Sequence, residues 1–242
     1  MPQHHISRRE LKTDEVRETF AHGAEAVLSH KGLTLYLVAV ALIVVIGVFG
    51  WRTYMERQTV KASAGYDDAM TAFQARVPVP GDPPATSGEV SFPNDTAKYT
   101  DAARKFSDLS AKYPRTRFGT LAKYYAALCD DHLSKEDDAK KLLQEVSGSS
   151  DADFAAMSRF QLAQIEDRTG QGDDAAKLYQ QVIDKPSVFV PKAVAMLALA
   201  QHYAQKDPTQ AAKLFGQIKS DYPDTPIAQQ ADQGLSLLPG KS

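Results

Sequence analysis

The side chains that could carry acid–base, nucleophilic or metal chemistry are few and scattered along this chain. Its six histidines are His4, His5, His22, His30, His132 and His202. None of them pairs with another at the i, i+4 spacing that would place two imidazoles on one face of a helix. The zinc-protease pattern H-E-x-x-H, the nucleophile elbow G-x-S-x-G and a Gly-rich phosphate loop are absent from the sequence. We therefore predict no catalytic residues, no metal site and no cofactor.

The lone cysteine and the acidic pairs have structural interpretations. Cys129 lies among small and apolar residues in YYAALCDD, where a free cysteine packs as a small hydrophobe, so we predict that it is buried. The pairs Asp130–Asp131 and Asp173–Asp174 fit solvated helix ends or first-turn charges that suit the helix dipole. The prediction is a protein that is not an enzyme. The alternative is an enzyme with an unrecognised site.

The composition of the chain argues against nucleic-acid binding. With 28 Lys and Arg against 30 Asp and Glu, the formal net charge is −2, and the basic footprint of a nucleic-acid-binding protein is missing. Apolar residues make up 43% of the sequence, as expected of a folded globular protein. One cysteine excludes an internal disulfide framework.

The elements that must position any functional residue begin with the apolar segment Leu33–Trp51. This segment carries no charge over nineteen residues and is bounded by Lys31 and Arg52. As a helix it would measure roughly 28 Å, close to the ~30 Å hydrocarbon core of a bilayer. Tyr36 and Trp51 lie near its ends, where aromatic rings favour the membrane interface. The sequence therefore predicts a transmembrane helix over residues 33–51.

An uncleaved anchor fits this segment better than a cleaved signal peptide. The small-residue triplet Ala62–Ala64 resembles a cleavage site, but it lies eleven residues beyond Trp51, farther than cleavage sites usually lie. The stretch Ser7–Lys12 resembles a twin-arginine signal, but about twenty mostly polar residues separate it from the apolar run.

The charges that flank the segment predict a cytoplasmic N-terminus. Lys and Arg bias a flank towards the cytoplasm. Five of them precede the segment (Arg8, Arg9, Lys12, Arg17 and Lys31) and three follow it closely (Arg52, Arg57 and Lys61). The prediction is a single-pass protein of the bacterial inner membrane with a periplasmic C-terminal domain.

The remaining sequence divides into four predicted segments. Residues 1–32 form a cytoplasmic tail with a partly amphipathic helix that could lie on the membrane or dock a partner; a solvated, partly helical tail is the alternative. Its apolar stripe is Leu11, Val16, Phe20, Ala24, Val27 and Leu28. Residues 52–77 form a helix that leads into the repeat domain, residues 78–96 a Pro-rich loop, and residues 97–238 the repeat domain.

A pattern that recurs about every 36 residues predicts a stack of helix pairs. Four alanines mark it at spacings of 37, 36 and 36 residues: Ala102, Ala139, Ala175 and Ala211. A large apolar residue follows each of them: Phe106, Leu143, Tyr179 and Phe215. Where two helices cross closely only a small side chain fits, and the larger residue one turn on fills the adjacent gap. Such periods are typical of an all-α solenoid.

Capping residues and prolines predict where these helices begin and end. Asp207, Pro208 and Gln210 form a good helix start, and Ser134 with Asp137 forms a weaker one. Pro114, Pro186 and Pro223 follow the ends of second helices. The predicted helices cover residues 98–113, 116–133, 135–147, 151–169, 173–185, 189–205, 208–221 and 226–238.

The stretch GQGDDAAKLYQQV, which begins at Gly170, resembles the turn and second helix of a tetratricopeptide repeat. Ala175, Tyr179 and Pro186 stand near the offsets expected for that repeat. Arg159 replaces the usual bulky aromatic residue of the first helix, so the array resembles a degenerate version of the family. This resemblance implies a tetratricopeptide-like α-solenoid that binds protein segments along its first helices.

The same resemblance implies a partner groove on the first helix of each pair. Its candidate residues are Tyr124, Leu128, Asp131, Phe160, Gln164, Arg168, Leu197 and Gln201. Aromatic, amide and charged groups in this mixture suit peptide segments or protein helices better than a small-molecule substrate.

The order of tail, single span, helix, loop and repeats resembles the YfgM-type ancillary subunits of the SecYEG translocon. That resemblance implies an adaptor or chaperone-like module on the outer face of the inner membrane, with the Sec translocon and exported chains as its partners. A scaffold for another envelope machine, in cell division, outer-membrane assembly or cytochrome maturation, is the alternative function.

Overall fold

The computed structural model describes residues 31–79, 88–170 and 172–239, and within them the fold is entirely helical. The helices are α1 (Lys31–Gln74), α2 (Asp95–Lys112), α3 (Arg117–His132), α4 (Glu136–Ser147), α5 (Ala152–Arg168), α6 (Gly172–Asp184), α7 (Lys192–Lys206), α8 (Pro208–Asp221) and α9 (Pro226–Ser236). Outside them, the described residues hold an isolated β-bridge between Arg76 and Ser91 and no named strand. The predicted all-α class is therefore confirmed. The apolar stripe predicted within residues 1–32 lies outside the described residues.

The eight helices predicted for the repeat domain are all present as α2 to α9. Their predicted bounds differ from the observed ones by at most three residues. Pro114, Pro186 and Pro223 follow the ends of α2, α6 and α8, as predicted. The chain divides into two compact units, Met1–Arg57 and Gln58–Ser242.

In the first unit, the described part of α1 is apolar and exposed. Every described side chain from residue 35 to residue 52 is exposed, and large ones such as Ile43 and Phe49 expose about 70% of their surface. Among the described residues, α1 is the helix that is long and apolar enough to cross a membrane.

The second unit begins inside α1, well before the predicted start of the repeat domain at residue 97. Ala62, Ala69 and Ala72 are fully buried in one cluster with Ala102 and Phe106 of α2. Two aromatic residues of α1 join this cluster: the Tyr66 ring centroid lies 5.5 Å from that of Phe118 in α3, and the Phe73 centroid 5.3 Å from that of Tyr125. The end of α1 therefore serves as a first helix that pairs with α2.

The repeated alanines lie at the closest points of the stack. Ala102, Ala139, Ala175 and Ala211 have no exposed surface. The large residues that follow them are at most 3% exposed: Phe106, Leu143, Tyr179 and Phe215. Each helix from α2 to α9 packs on the next along the chain, so the repeating register produces a continuous core.

Side-chain caps fix most helix starts, with one correction to the prediction. Asp207 accepts a hydrogen bond from the backbone N–H of Gln210 at 3.0 Å, which confirms the predicted start of α8. The predicted Ser134–Asp137 cap is wrong. Ser134 lies in the left-handed region with φ of 57°, and the N-cap of α4 is Lys135, whose side chain makes no capping bond. Instead, three acidic residues in the first turn of α4 stabilise this helix end through their interaction with the helix dipole.

The two described ends of the predicted Pro-rich loop are held together. The backbone N–H of Phe92 donates to the carbonyl of Arg76 at 3.0 Å, and the Phe92 ring packs on the cluster that surrounds Phe106. Asn94 then caps α2 by accepting from the N–H of Ala97 at 2.8 Å. These contacts close the loop at its base.

Two glycines test how closely α8 and α9 approach each other. A Cβ at Gly234 would lie 2.5 Å from the ring of the buried Phe215, whereas a Cβ at Gly216 would meet nothing within 4 Å. Gly216→Ala should stabilise the fold by about 1 kcal/mol because alanine is the better helix former. Gly234→Ala should destabilise it, by about 1–3 kcal/mol for overpacking. Chemical denaturation of the two variants measures both signs, and a gain in stability for Gly234→Ala would contradict the close contact.

Ser158 of α5 carries a buried hydroxyl. Its Oγ has no hydrogen-bond partner among the described residues, and the residue has no exposed surface. An unsatisfied buried polar group costs about 1–3 kcal/mol, so Ser158→Ala should raise the free energy of unfolding by about 1 kcal/mol or more. The exposed Ser107 of α2 provides the control, because Ser107→Ala gains helix propensity alone, up to ~0.5 kcal/mol. A loss of stability in Ser158→Ala would show that the hydroxyl has a partner.

Candidate partner-binding surface

The candidate groove residues lie on the first helix of three successive pairs. Tyr124, Leu128 and Asp131 belong to α3, Phe160, Gln164 and Arg168 to α5, and Leu197 and Gln201 to α7. Spacings of three and four residues place the members of each set on one side of their helix. Gln164, Arg168 and Gln201 are exposed, whereas Tyr124, Leu128, Asp131 and Phe160 are half-buried.

Two of the predicted polar residues form a hydrogen bond with each other. A guanidinium nitrogen of Arg168 in α5 donates to a carboxylate oxygen of Asp131 in α3. Gln161 donates to the other oxygen of Asp131 at 3.4 Å. The Asp131 side chain is 14% exposed and that of Arg168 is 52% exposed. A partner at this surface would therefore meet the guanidinium and not the carboxylate.

The two aromatic candidates have one face in the core. The Phe160 ring packs edge-on against Tyr179, with 5.7 Å between centroids. The Tyr124 ring packs edge-on against Tyr125 at 5.5 Å. Burial, and to a smaller extent Tyr125, raises the pKa of Tyr124 to about 12, so its phenol stays protonated at neutral pH. Each ring is thus partly covered by the core and partly accessible to a partner.

Leu197 lies in the core and not on the surface. It is 8% exposed and packs in a cluster with Met196, Phe215 and Ile218. Because α7 is covered on both sides by α6 and α8–α9, more of its circumference is buried than the repeat pattern alone indicates. We therefore remove Leu197 from the candidate surface.

Sequence reasoning missed two side-chain hydrogen bonds that join neighbouring repeats. Lys140 Nζ of α4 donates to Glu166 Oε2 at 2.7 Å, and Glu166 is only 8% exposed. His202 Nδ1 of α7 lies 2.7 Å from Asp167 Oδ1 of α5. A signal was present for the second pair, since Asp167 and His202 are 35 residues apart, about one repeat. Lys140 and Glu166 are 26 residues apart, so the repeat period does not reveal them.

Arg159 has a capping role that explains its departure from the repeat pattern. Its guanidinium donates to the backbone carbonyl of Ser147 at 2.7 Å, and Ser147 is the last residue of α4. Carbonyls at a helix C-terminus lack intrahelical partners and attract cations. Arg159 therefore fastens the end of α4 to α5.

A cleft of about 510 Å³ lies between α6 and α7, but its chemistry is limited. His202 lines the cleft, yet its side chain is 2% exposed and its Nδ1 faces Asp167. The other polar side chains that line it are Asp173, Lys177, Gln180, Tyr203, Lys206 and Asp207. Over the described ranges, no group of three or more His, Cys, Asp or Glu side chains could hold a metal ion. The His202–Asp167 pair therefore serves as a polar contact between α7 and α5.

Family comparisons match almost the whole helical part of the chain. A family model described as a tetratricopeptide repeat-like domain matches residues 29–193, and a second, described as a tetratricopeptide repeat, matches residues 194–225. Searches of curated proteins and of solved structures give no match to this chain.

The only thiol of the chain, Cys129, should be inert in the folded protein. It is fully buried in α3, and burial raises its pKa to about 12. Because the thiolate is the reactive form, alkylation at pH 8 should be undetectable in the native state and rapid in denaturant. Mass spectrometry after a timed iodoacetamide pulse measures this. The same pulse on Thr209→Cys, an exposed position in α8, is the positive control. Equal native labelling of both thiols would contradict the buried position.

Proposed function

Because the chain belongs to the tetratricopeptide repeat-like domain family, whose repeats are protein–protein interaction modules, we propose that it is a membrane-anchored adaptor. The repeat unit binds a protein partner along α3, α5 and α7. The apolar part of α1 holds it at the inner membrane, with residues 1–32 in the cytoplasm and the repeats in the periplasm.

The observation that carries the partner surface is the repeated register of α5 and α7. Gln164 and Gln201 occupy matching places on α5 and α7 and are exposed. The guanidinium of Arg168 is half-exposed beside them, and the half-buried Phe160 lies one turn earlier on α5. Amide groups and a guanidinium can hydrogen-bond a peptide backbone or side chains, while the half-buried aromatic ring supplies apolar contact. This surface suits a peptide segment or a protein helix.

Support for the anchor comes from the first unit. An uncharged apolar stretch whose side chains are all exposed costs much free energy in water, because apolar surface costs about 25 cal/mol per Å² exposed. A bilayer removes this cost without any protein cover. Lys and Arg are more numerous before the segment than just after it, which supports a cytoplasmic N-terminus.

Among partners at the membrane, we propose the Sec translocon and chains that emerge from it. The order of tail, span and repeats along the chain resembles that of the YfgM-type ancillary subunits of the SecYEG translocon, and this resemblance supports the choice. A scaffold for another envelope machine uses the same surface and anchor with a different partner, so the identity of the captured protein separates the two functions.

Photocrosslinking from the full chain in intact cells tests the proposal. A photoreactive amino acid at Gln164 or Gln201 should crosslink to a protein partner, since both side chains reach solvent on the first-helix surface. The matched control is Gln181, which is exposed on the second helix α6. We expect at least a ten-fold excess of adducts from positions 164 and 201. An alkaline wash of the membranes should leave the chain in the membrane fraction.

The outcomes separate the parts of the proposal. Translocon subunits or nascent chains in the adducts support the Sec assignment, whereas division, outer-membrane assembly or cytochrome-maturation proteins support the alternative scaffold. Equal adducts from Gln181 would show that the first-helix surface is not the binding site. Release of the chain by the alkaline wash would refute the anchor.

A further inference from the structure

Four connections, α2–α3, α4–α5, α6–α7 and α8–α9, form one edge of the repeat unit. The α6–α7 connection differs from the other three. It contains seven residues, 185–191, whereas α2–α3, α4–α5 and α8–α9 are each joined by four. At its tip Val188 is 85% exposed and Phe189 is 61% exposed. These are the most exposed large apolar side chains between residues 91 and 236. We name residues 185–192 the VF loop.

The VF loop is held in place although its tip is exposed. Val190 is 6% exposed and packs in a cluster with Ala156, Val182 and Ala195. The N–H of Ser187 donates to the carbonyl of Val190 at 3.1 Å, and the N–H of Val190 donates to Ser187 Oγ at 3.1 Å. The buried Val190 therefore fixes the loop, and the fixed loop presents Val188 and Phe189 to the outside.

Exposed lysines and partnered carboxylates lie next to this tip. Lys185 and Lys192, at the two ends of the loop, are exposed. Across the edge, Asp153 accepts from the N–H of Val188 at 3.4 Å and lies 3.8 Å from Arg117. Asp184 is exposed at the end of α6 and accepts from Gln180 at 2.8 Å. The tip thus combines two apolar side chains with two exposed lysines and two carboxylates that have hydrogen-bond partners.

The VF loop lies on the edge of the repeat unit at which the chain enters that unit. Helices α1 and α2 are antiparallel, because Gly65 of α1 faces Leu109 near the end of α2. Lys61 accordingly lines one cleft together with Lys112 and Tyr113, at the start of the α2–α3 connection. The α6–α7 connection belongs to the same edge because successive helices alternate in direction.

We propose that the VF loop is a second membrane contact: Val188 and Phe189 insert into the headgroup region of an anionic bilayer, and Lys185 and Lys192 lie against lipid phosphates. This proposal rests on the anchoring proposed above, which supplies the bilayer. Aromatic and aliphatic tips flanked by lysine are favoured at such interfaces. A protein partner is the less favoured occupant, because two side chains on a projecting loop fall far short of the roughly 800 Å² that each partner buries in a stable interface.

An environment-sensitive fluorophore on the full chain tests this contact. The label is attached at Phe189→Cys in a Cys129→Ala background, and the protein is reconstituted into phosphatidylethanolamine–phosphatidylglycerol vesicles that carry a lipid-linked quencher. We expect quenching and a blue shift. Thr209→Cys is the matched control, since it is exposed at the other end of α7, roughly 22 Å along the helix axis, and should stay unquenched.

Removal of the lysines should move the loop off the lipid. Each lysine near an anionic surface strengthens binding roughly five-fold, so Lys185→Gln with Lys192→Gln should lower the bound-to-free ratio of the loop roughly 25-fold. Phosphatidylcholine vesicles and high salt should act in the same direction, because salt screens surface charges. Equal quenching at position 189 in phosphatidylcholine and in anionic vesicles would overturn the lysine–phosphate contact.

The anchor and the loop fail in distinguishable ways. If the chain resists the alkaline wash and position 189 is unquenched in anionic vesicles, the VF loop proposal is wrong and the anchor stands. If the label responds only in native membranes that contain proteins, the occupant of the loop is a protein and the lipid contact is again refuted. If the chain washes off the vesicles, both proposals fail.

Discussion

Close contact between helices at four fully buried alanines determines how the rest of the repeat unit is built. At Ala102, Ala139, Ala175 and Ala211 a larger side chain would force neighbouring helices apart. The large residue one turn later fills the space that the close approach leaves beside it. Since every helix pair repeats this contact, each pair presents the same apolar face to the next one, and the stack has one continuous core. The aromatic side chains Tyr66 and Phe73 extend this core into the end of α1.

The sequence predicted this framework well because the framework is local and repeated. Alanines and aromatics at a fixed period specify helix pairs, and the Asp207 cap needs only its own first turn. Ser134 also resembled a cap, although a weaker one, but the tight α3–α4 turn places it at positive φ, and a residue in that conformation cannot be the extended N-cap. Leu197 was misplaced for another reason. How much of α7 is covered depends on the long-range packing of α6, α8 and α9, which the pattern within α7 does not contain.

The polar contacts between repeats limit what the binding surface can be. Asp131 with Arg168, and Asp167 with His202, join first helices of neighbouring pairs. Lys140 with Glu166 joins a second helix to the next first helix. In each of these pairs the carboxylate is held by a side chain of a neighbouring helix, which limits its contact with a partner. Among the candidate groove residues, the exposed polar groups are the amides of Gln164 and Gln201 and the half-exposed guanidinium of Arg168, which can hydrogen-bond a peptide backbone or side chains.

Helix packing constrains the sides of the helices far more than it constrains their connections. A connection must reverse the chain direction and expose its polar backbone groups, and four residues suffice on three occasions on the same edge. The three additional residues between α6 and α7 are therefore not required by the solenoid. Burial of Val190 preserves the core contact, while Val188 and Phe189 remain outside at a cost in exposed apolar surface. Val188 and Phe189 are adjacent exposed apolar side chains on a loop that Val190 fixes, and the proposed lipid contact covers both of them.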